Sequence, residues 1–480
     1  MDEKISFILD NKLHTINFDE TLKPTTTVLN YLRFNPLHKG VKEGCAEGDC
    51  GACTVVLAEL NKENKITYKA VDSCLVFLPM IKNKQLITVE NISQTTNSEN
   101  CLHPVQQELL DANGSQCGFC SPGIVMSLFA LYKSKKNPSK EIVEDSLTGN
   151  LCRCTGYKPI IESALKSCST NFEDSFVKNE SSIIEELLQL KNSNKTLTIN
   201  TAEQKYSQPI SLNEALELKN KFNDAILING ATDVALRVTK RHELLTSIID
   251  LSQINQLKEF TETETELEFG SGLSLEDVKS ISENKFYTLF ETLTVFGSKQ
   301  IREMATLGGN VGSCSPISDT IPLWLVCDAK IKLQSINDQR LVNIKDYIIG
   351  YRKTAKREDE IITSIVVPKF SNNSIKYYKV SKRKDLDIST VCAAFNLKLE
   401  GEKIAEIKIA FGGMAEITKR VIEAEEFLKG KIYNRENMEA VMKIIGNSFT
   451  PISDARSGAE FRKIVAQNLV LKFWSETKLN

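Results

Sequence analysis

Alternating apolar and polar residues over Ile5–Leu9 and Leu13–Phe18, separated by Asp10-Asn11-Lys12, predict a β-hairpin at the start of the chain. Thr27–Phe34 changes to helical spacing, with Thr26 or Thr27 available as a cap. Thr54–Leu60 predicts a strand and Ala70–Pro79 a strand with a turn. Helical spacing then dominates over Pro104–Leu110, Ile124–Tyr132, Glu141–Leu147 and Pro159–Leu165. Pro122, Pro138 and Pro159 suit first turns, and Gly114 and Gly149 suit the ends of helices.

Beyond residue 165 the pattern weakens. Ser, Asn, Lys and Glu are in excess around one short helical stretch, Ile183–Leu190. Strand and helix signals resume with Ala225–Ile228, Val234–Lys240 and Thr246–Asp250. The last hundred residues read as strands (Lys376–Val380, Val391–Leu399, Lys403–Phe411) followed by helices (Arg420–Leu428, Met438–Ile445, Ala459–Phe473). That order predicts an antiparallel sheet covered by helices. The expected division is 1–85 strand-rich, 86–165 helical, 166–205 linker, 206–375 mixed α+β, and 376–480 a second α+β domain.

A length of 480 residues supports several domains, and 41% hydrophobic with 25% charged residues excludes wholesale disorder. The formal charge of −2 gives no electrostatic reason to expect nucleic acid as a partner. No apolar run approaches a membrane span, and the first ten residues do not read as an export signal, so a soluble, cytoplasmic chain is expected.

Cysteine is the informative residue. Ten of the thirteen cysteines lie in the first 168 residues, and eight fall into two groups. In a reducing compartment such clusters bind metal more often than they pair as disulfides. The first group is Cys45, Cys50 and Cys53, with Cys74 further on, the plant-type spacing for a 2Fe–2S cluster. Gly44, Gly48 and Gly51 are expected to take positive φ and turn backbone N–H groups towards the sulfurs. A zinc loop is the alternative, but the interval to Cys74 and the glycines fit it poorly. The second group is Cys117, Cys120, Cys152 and Cys154, with helix starts expected after Cys120 and Cys154 and Arg153 adding positive charge. Spacing alone leaves zinc open for this group.

The loops GCAEGDCGAC and CGFCSPG…NLCRCTGY resemble the paired 2Fe–2S domains of the molybdenum hydroxylases, the family of xanthine dehydrogenase, aldehyde oxidase and carbon monoxide dehydrogenase. The resemblance covers about the first 165 residues. It implies a β-grasp ferredoxin-like domain nearer the flavin, then a helical-bundle 2Fe–2S domain nearer the molybdenum cofactor. Cys101, Cys168, Cys314, Cys327 and Cys392 have no partner pattern and read mostly as small buried hydrophobes.

Two glycine turns follow in the middle of the chain. Ile226-Leu227-Ile228-Asn229-Gly230-Ala231-Thr232-Asp233 runs from a strand into a helix, a unit that offers N–H groups to a pyrophosphate. Thr306-Leu307-Gly308-Gly309-Asn310 is the second. Neither is a Rossmann or triphosphate loop, and singly each reads as punctuation. ILINGATD and IREMATLGGNVGSCSPISD nonetheless resemble the two FAD-binding segments of the same family, whose flavin domain is two-lobed α+β. The resemblance implies that Ile226 through Asp233 line the pyrophosphate and adenine, and that Gly308, Gly309 and Asn310 make a phosphate turn. It also implies contacts from Phe296, Thr306 and Asp319, with Ile362 near the isoalloxazine ring and Lys379 a later contact. Lys382, Arg383 and Lys384 read equally well as a solvated basic face. Residues 451–462 resemble the end of the family's C-terminal flavoprotein domain.

His14, His38, His103 and His242 form no ligand pair and read as structural, and no catalytic residue is assigned. The resemblance implies an electron-transfer subunit with two 2Fe–2S clusters and FAD, passing electrons from a molybdopterin-bearing large subunit to NAD+. No molybdopterin-binding region is apparent, so a separate partner and a heterotetramer are expected. Continuity of cluster and flavin parts resembles bacterial xanthine dehydrogenase small subunits and implies a purine substrate. Another molybdenum hydroxylase, a stand-alone diaphorase or a colourless zinc-stabilised interaction protein are the rival readings.

Overall fold

Lys4–Leu9 and Lys12–Asn17 pair antiparallel in a computed structural model that describes residues 4–96, 99–192 and 195–478. Asp10 takes φ 57 at their turn. They extend a five-stranded sheet in the order 12–17, 4–9, 85–87, 54–60, 66–72, in which Ile8 pairs parallel with Gln85. Thr27 caps the helix Val28–Phe34 by accepting from the Asn30 N–H, and Val28, Leu29 and Leu32 bury against the sheet. This is the expected ferredoxin-like grasp. The expected strand at Ala70–Pro79 instead starts earlier, at Ile66, and gives way to single 3-10 turns at Ser73–Leu75 and Leu78–Ile81.

Helices Pro104–Asp111, Ser121–Ser134, Lys140–Ser146 and Lys158–Ser167 form the next layer around Phe129, Leu128 and Ile160. Pro122 and Pro159 occupy first turns, but Pro138 precedes the Ser139 cap and stands outside its helix. Asn113, not Gly114, takes the left-handed conformation after Asp111. Within 166–205, the stretch expected to be a linker, Glu180–Asn192 is helical and packs Ile183 and Leu187 on Ile8; residues 193 and 194 lie outside the described residues.

A four-stranded sheet follows, ordered 226–228, 247–250, 205–208, 197–200, its first three strands parallel. Its Ile199, Tyr206, Ile228 and Ile248 join one continuous apolar core with Val28, Leu32 and Leu75 of the ferredoxin-like part. These elements, with the short stretch Ser298–Ala305, form one of two compact units.

The second unit, Asn255–Gly297 with Thr306–Asn480, holds two larger sheets and the short pair 348–350 with 353–354. One is five-stranded, ordered 260–262, 266–270, 361–368, 330–334, 339–343. The other is antiparallel, 373–380, 391–400, 403–412, 419–420. Helices Ile422–Leu428, Arg435–Asn447 and Ala459–Thr477 cover the latter, and Phe473 stacks on Phe395 with ring centroids 4.6 Å apart. The sheet-then-helix order read from the sequence matches. Among the described residues no helix is long and apolar enough to cross a membrane.

Candidate functional site

The first cysteine loop is irregular because its residues turn left-handed repeatedly: Ala46, Gly48 and Gly51 have φ of 56, 75 and 65. Gly44, expected among them, does not; glycine is needed there because a Cβ would stand 2.8 Å from Cys50 Sγ. The wrap turns the N–H groups of Glu47 and Asp49 onto Cys45 Sγ at 3.5 and 3.3 Å. Those donors, after the hydrogen bond from the Cys50 thiol, bring the Cys45 pKa down to about 5. Cys53 Sγ meets Cys74, and that bond, together with burial, pushes the Cys53 thiol well up. Asp72 is fully buried and accepts from Cys53 Sγ at 3.9 Å. Burial, then the nearby Cys45, raises its carboxyl well above the usual range.

The second loop repeats the pairing. Cys117 meets Cys154, and Cys120 meets Cys152. The Phe119 N–H holds the Cys117 pKa down, whereas the bond to Cys117 raises Cys154. Burial and Cys152 raise Cys120 to about 12. Cys152 is lowered despite burial, because Thr155, through its hydroxyl at 3.3 Å and its backbone, outweighs it. Cys120 immediately precedes the helix Ser121–Ser134, as expected, and the second expected helix begins at Lys158, four residues after Cys154.

Among the described residues no three His, Cys, Asp or Glu side chains are placed to hold a single metal ion. The thiols meet in twos, Cys45 with Cys50, Cys53 with Cys74, Cys117 with Cys154 and Cys120 with Cys152. Two thiolates per metal, twice in each loop, suit two bridged irons, whereas zinc gathers four ligands on one ion. The residues therefore fit a 2Fe–2S cluster in each loop.

The loops touch each other. The Leu151 N–H donates to Cys50 O at 3.0 Å, and Asn150 Nδ2 to Gly51 O at 3.1 Å. A Cβ on Gly51 would collide with Gly149 O.

Ile226 through Asp233 stand together in the first unit. Ile226–Ile228 pairs with Ser247–Asp250, Asn229 and Gly230 turn, Ala231 adopts φ 59, and a helix begins at Ala235. A Cβ on Gly230 would overlap Met304 O, so only glycine lets these backbones pass. Lys240, at the end of that helix, donates to Cys45 O at 3.1 Å and pairs with Glu47 at 3.4 Å. Sequence spacing did not reveal this tie between flavin-type turn and cysteine loop.

The remaining expected flavin residues lie in the second unit. Thr306 caps Leu307–Ser313 by accepting from the Gly309 N–H at 3.2 Å, and the Gly308 N–H donates to Ser271 O at 2.8 Å. Asn310 Oδ1 accepts from Ser318 and Thr320. Ile362 sits above Gly312. Phe296 is half-buried just after the helix Tyr287–Thr294. Lys379 is buried, paired with Asp319 at 2.9 Å, and also donates to Val295 O at 2.7 Å. Lys382 and Arg383 are in contrast exposed, Lys382 donating to Ala455 O and Arg383 to Asp387.

Among the histidines, His103 is buried on Asp174, which Lys133 also pairs, and His38 is bound to Asp10. Cys168, Cys314, Cys327 and Cys392 are buried as expected, and Cys101 is exposed.

Residues 88–165 match the family described as [2Fe-2S] binding domain, 195–370 the FAD binding domain in molybdopterin dehydrogenase, and 376–477 the CO dehydrogenase flavoprotein C-terminal domain. Xanthine dehydrogenase of Emericella nidulans is 31% identical over 99% of this chain and 39% of its own length. Xanthine dehydrogenase 1 of Arabidopsis thaliana is 32% identical over 93% of this chain and 38% of its own. The chain thus spans about two fifths of the curated relatives it matches. Carbon monoxide dehydrogenase from Hydrogenophaga pseudoflava aligns with a TM-score of 0.54 and 25% identity, covering 56% of this chain and 94% of that one. Quinoline 2-oxidoreductase from Pseudomonas putida shares the fold with a TM-score of 0.52 and 22% identity, over 56% of this chain and 96% of that one.

Proposed function

We propose that this chain, whose iron–sulfur and FAD-binding domains fit an electron-transfer part of a molybdenum hydroxylase, serves a xanthine dehydrogenase. In this reading, reducing equivalents from a molybdopterin-bearing partner subunit reach NAD+ through this chain, in the cytoplasm and as part of purine breakdown. When bound, 2Fe–2S clusters exchange single electrons and a flavin one or two, so together they join one-electron transport to a two-electron acceptor.

The chain's own residues do the placing. Cys45, Cys50, Cys53 and Cys74 would hold one cluster and Cys117, Cys120, Cys152 and Cys154 the other. The N–H groups of Glu47 and Asp49 offset thiolate charge at the first. By the family resemblance, Ile226 to Asp233 would line the pyrophosphate and adenine of FAD, and Gly308, Gly309 and Asn310 would make a phosphate turn. Phe296, Thr306, Asp319, Ile362 and Lys379 would complete its site, Lys379 by holding Asp319 in place. The single observation carrying the reading is the contact of both cysteine loops through Cys50 O and the Leu151 N–H, with Lys240 tying the flavin-type turn to the first loop.

Xanthine is favoured by relatives that match nearly the whole chain, cluster and flavin parts together. A second reading is the oxidation of another substrate, such as an aldehyde or N-heterocycle; in its favour, the likeness to carbon monoxide dehydrogenase ties the fold to a substrate other than xanthine. The assembly purified from native extract, expected as a heterotetramer of two copies of each chain, is the test. Xanthine should bleach the visible spectrum anaerobically, and NAD+ should reoxidise the flavin faster than O2 does in stopped flow. Faster reoxidation by O2, or bleaching by aldehydes alone, contradicts the reading.

A further inference from the structure

Asn150 stands two residues before the ligand Cys152, yet its side chain serves the other loop. Its Nδ2 donates to Gly51 O at 3.1 Å and to Thr54 Oγ1 at 3.2 Å. Gly51 lies between the ligands Cys50 and Cys53. The Asn150 Oδ1 accepts from Ser127 Oγ at 2.6 Å and from Gln300 Nε2 at 3.0 Å. Gln300 Nε2 also donates to Ser127 Oγ and to Ser146 O, each at 2.9 Å. Asn150, Ser127 and Gln300 are all at most 2% exposed.

Gln300 belongs to Ser298–Ala305, a stretch remote in sequence that is inserted into this unit. The same stretch sends buried Arg302 to Asp145 at 2.6 Å, the Lys299 N–H to Thr148 Oγ1 at 3.1 Å, and Met304 O to the turn at Gly230. Gln300 Oε1 is buried without a partner of its own, so the residue is held through its Nε2, and removing Asn150 or Ser127 would strand further buried polar atoms. No such requirement follows from holding either cluster alone: neither side chain is a ligand, and the bonds run between loops.

We infer that Asn150, clamped by Gln300, is a positioning residue that fixes the separation of the two iron–sulfur sites. The inference rests on the reading that each loop holds a 2Fe–2S cluster. Electron tunnelling falls steeply with distance, so a fixed gap between carriers has a functional consequence that a merely stable fold does not require.

The test uses the full-length holoprotein reduced with dithionite, with iron content, the two separate EPR signals and the inter-cluster distance distribution by pulsed dipolar EPR as readouts. Wild type should give a single narrow distribution. Asn150→Ala and Gln300→Leu, with iron retained, should broaden or shift it. Loss of iron from both sites together in either variant also supports the inference, because the residue then serves both. An unchanged distribution at full iron content, or loss of iron from one site only, overturns it. A wild-type protein without two cluster signals would instead overturn the functional reading on which it rests.

Discussion

The backbone N–H of Leu151 donates to the carbonyl oxygen of Cys50 at 3.0 Å, and each partner is, or directly adjoins, a cysteine of a different loop. A single hydrogen bond therefore separates Cys50 from the residue preceding Cys152. This closeness requires Gly51, whose missing Cβ leaves room for the Gly149 carbonyl.

Gly51→Ala should consequently be more damaging than an ordinary glycine substitution. Its φ of 65 alone costs about 1–2 kcal/mol for an L side chain, and the overlap with Gly149 O adds to that. Gly401→Ala, with φ 61 in an open hairpin, should show only the same conformational cost of about 1–2 kcal/mol. Chemical denaturation followed by visible absorbance compares them; equal losses would show that the loop contact contributes nothing.

Cys53→Ser should remove the plant-type cluster and leave the helical one. Cys53 is buried against Cys74, so replacing its thiol breaks one of the two pairs of that loop only. Iron and sulfide should fall by about half, with one EPR signal surviving. Two intact signals would refute the ligand assignment.

Gly230→Ala should release FAD while sparing iron. The added methyl must displace the Met304 backbone, and about 1–3 kcal/mol of strain corresponds to roughly five- to 150-fold weaker binding. Flavin content after gel filtration reports it, and a full flavin complement would show that this turn does not hold the cofactor.

Asp174 should make the helical part acid-sensitive. Burial works to raise its pKa, but the hydrogen bond from His103 and the charge of Lys133 outweigh it, and the pKa lies below the usual carboxylate range. A lowered folded pKa means stability that is present above about pH 4 and lost as pH falls below it. Asp174→Ala, which strands buried Lys133, should cost about 3–5 kcal/mol at neutral pH and remove that acid dependence. A variant with the wild-type pH profile of unfolding would contradict the assignment.

What could be read from the chain was what is local. Cys45, Cys50 and Cys53 disclose their chemistry through intervals of a few residues, and Ile226–Asp233 through a strand running into a glycine turn. Helices such as Ser121–Ser134 are evident from apolar spacing and an early proline. The links between the parts were not legible. Gln300 and Lys240 act on residues roughly 150 and 195 positions away, with no periodicity to mark them. Left-handed Ala46 in place of Gly44 illustrates the same limit, since loop closure rather than residue preference selects that conformation. Lys379 was marked in sequence by the family resemblance and the basic run beside it, but its burial on Asp319 required the sheet that carries it.

The central claim is that eight cysteines hold two iron–sulfur clusters, and quantifying iron, zinc and acid-labile sulfide in the freshly purified chain alongside low-temperature EPR tests it most directly. The account predicts about four irons and four sulfides per chain, negligible zinc, and two distinguishable signals on reduction. Stoichiometric zinc without labile sulfide would contradict it.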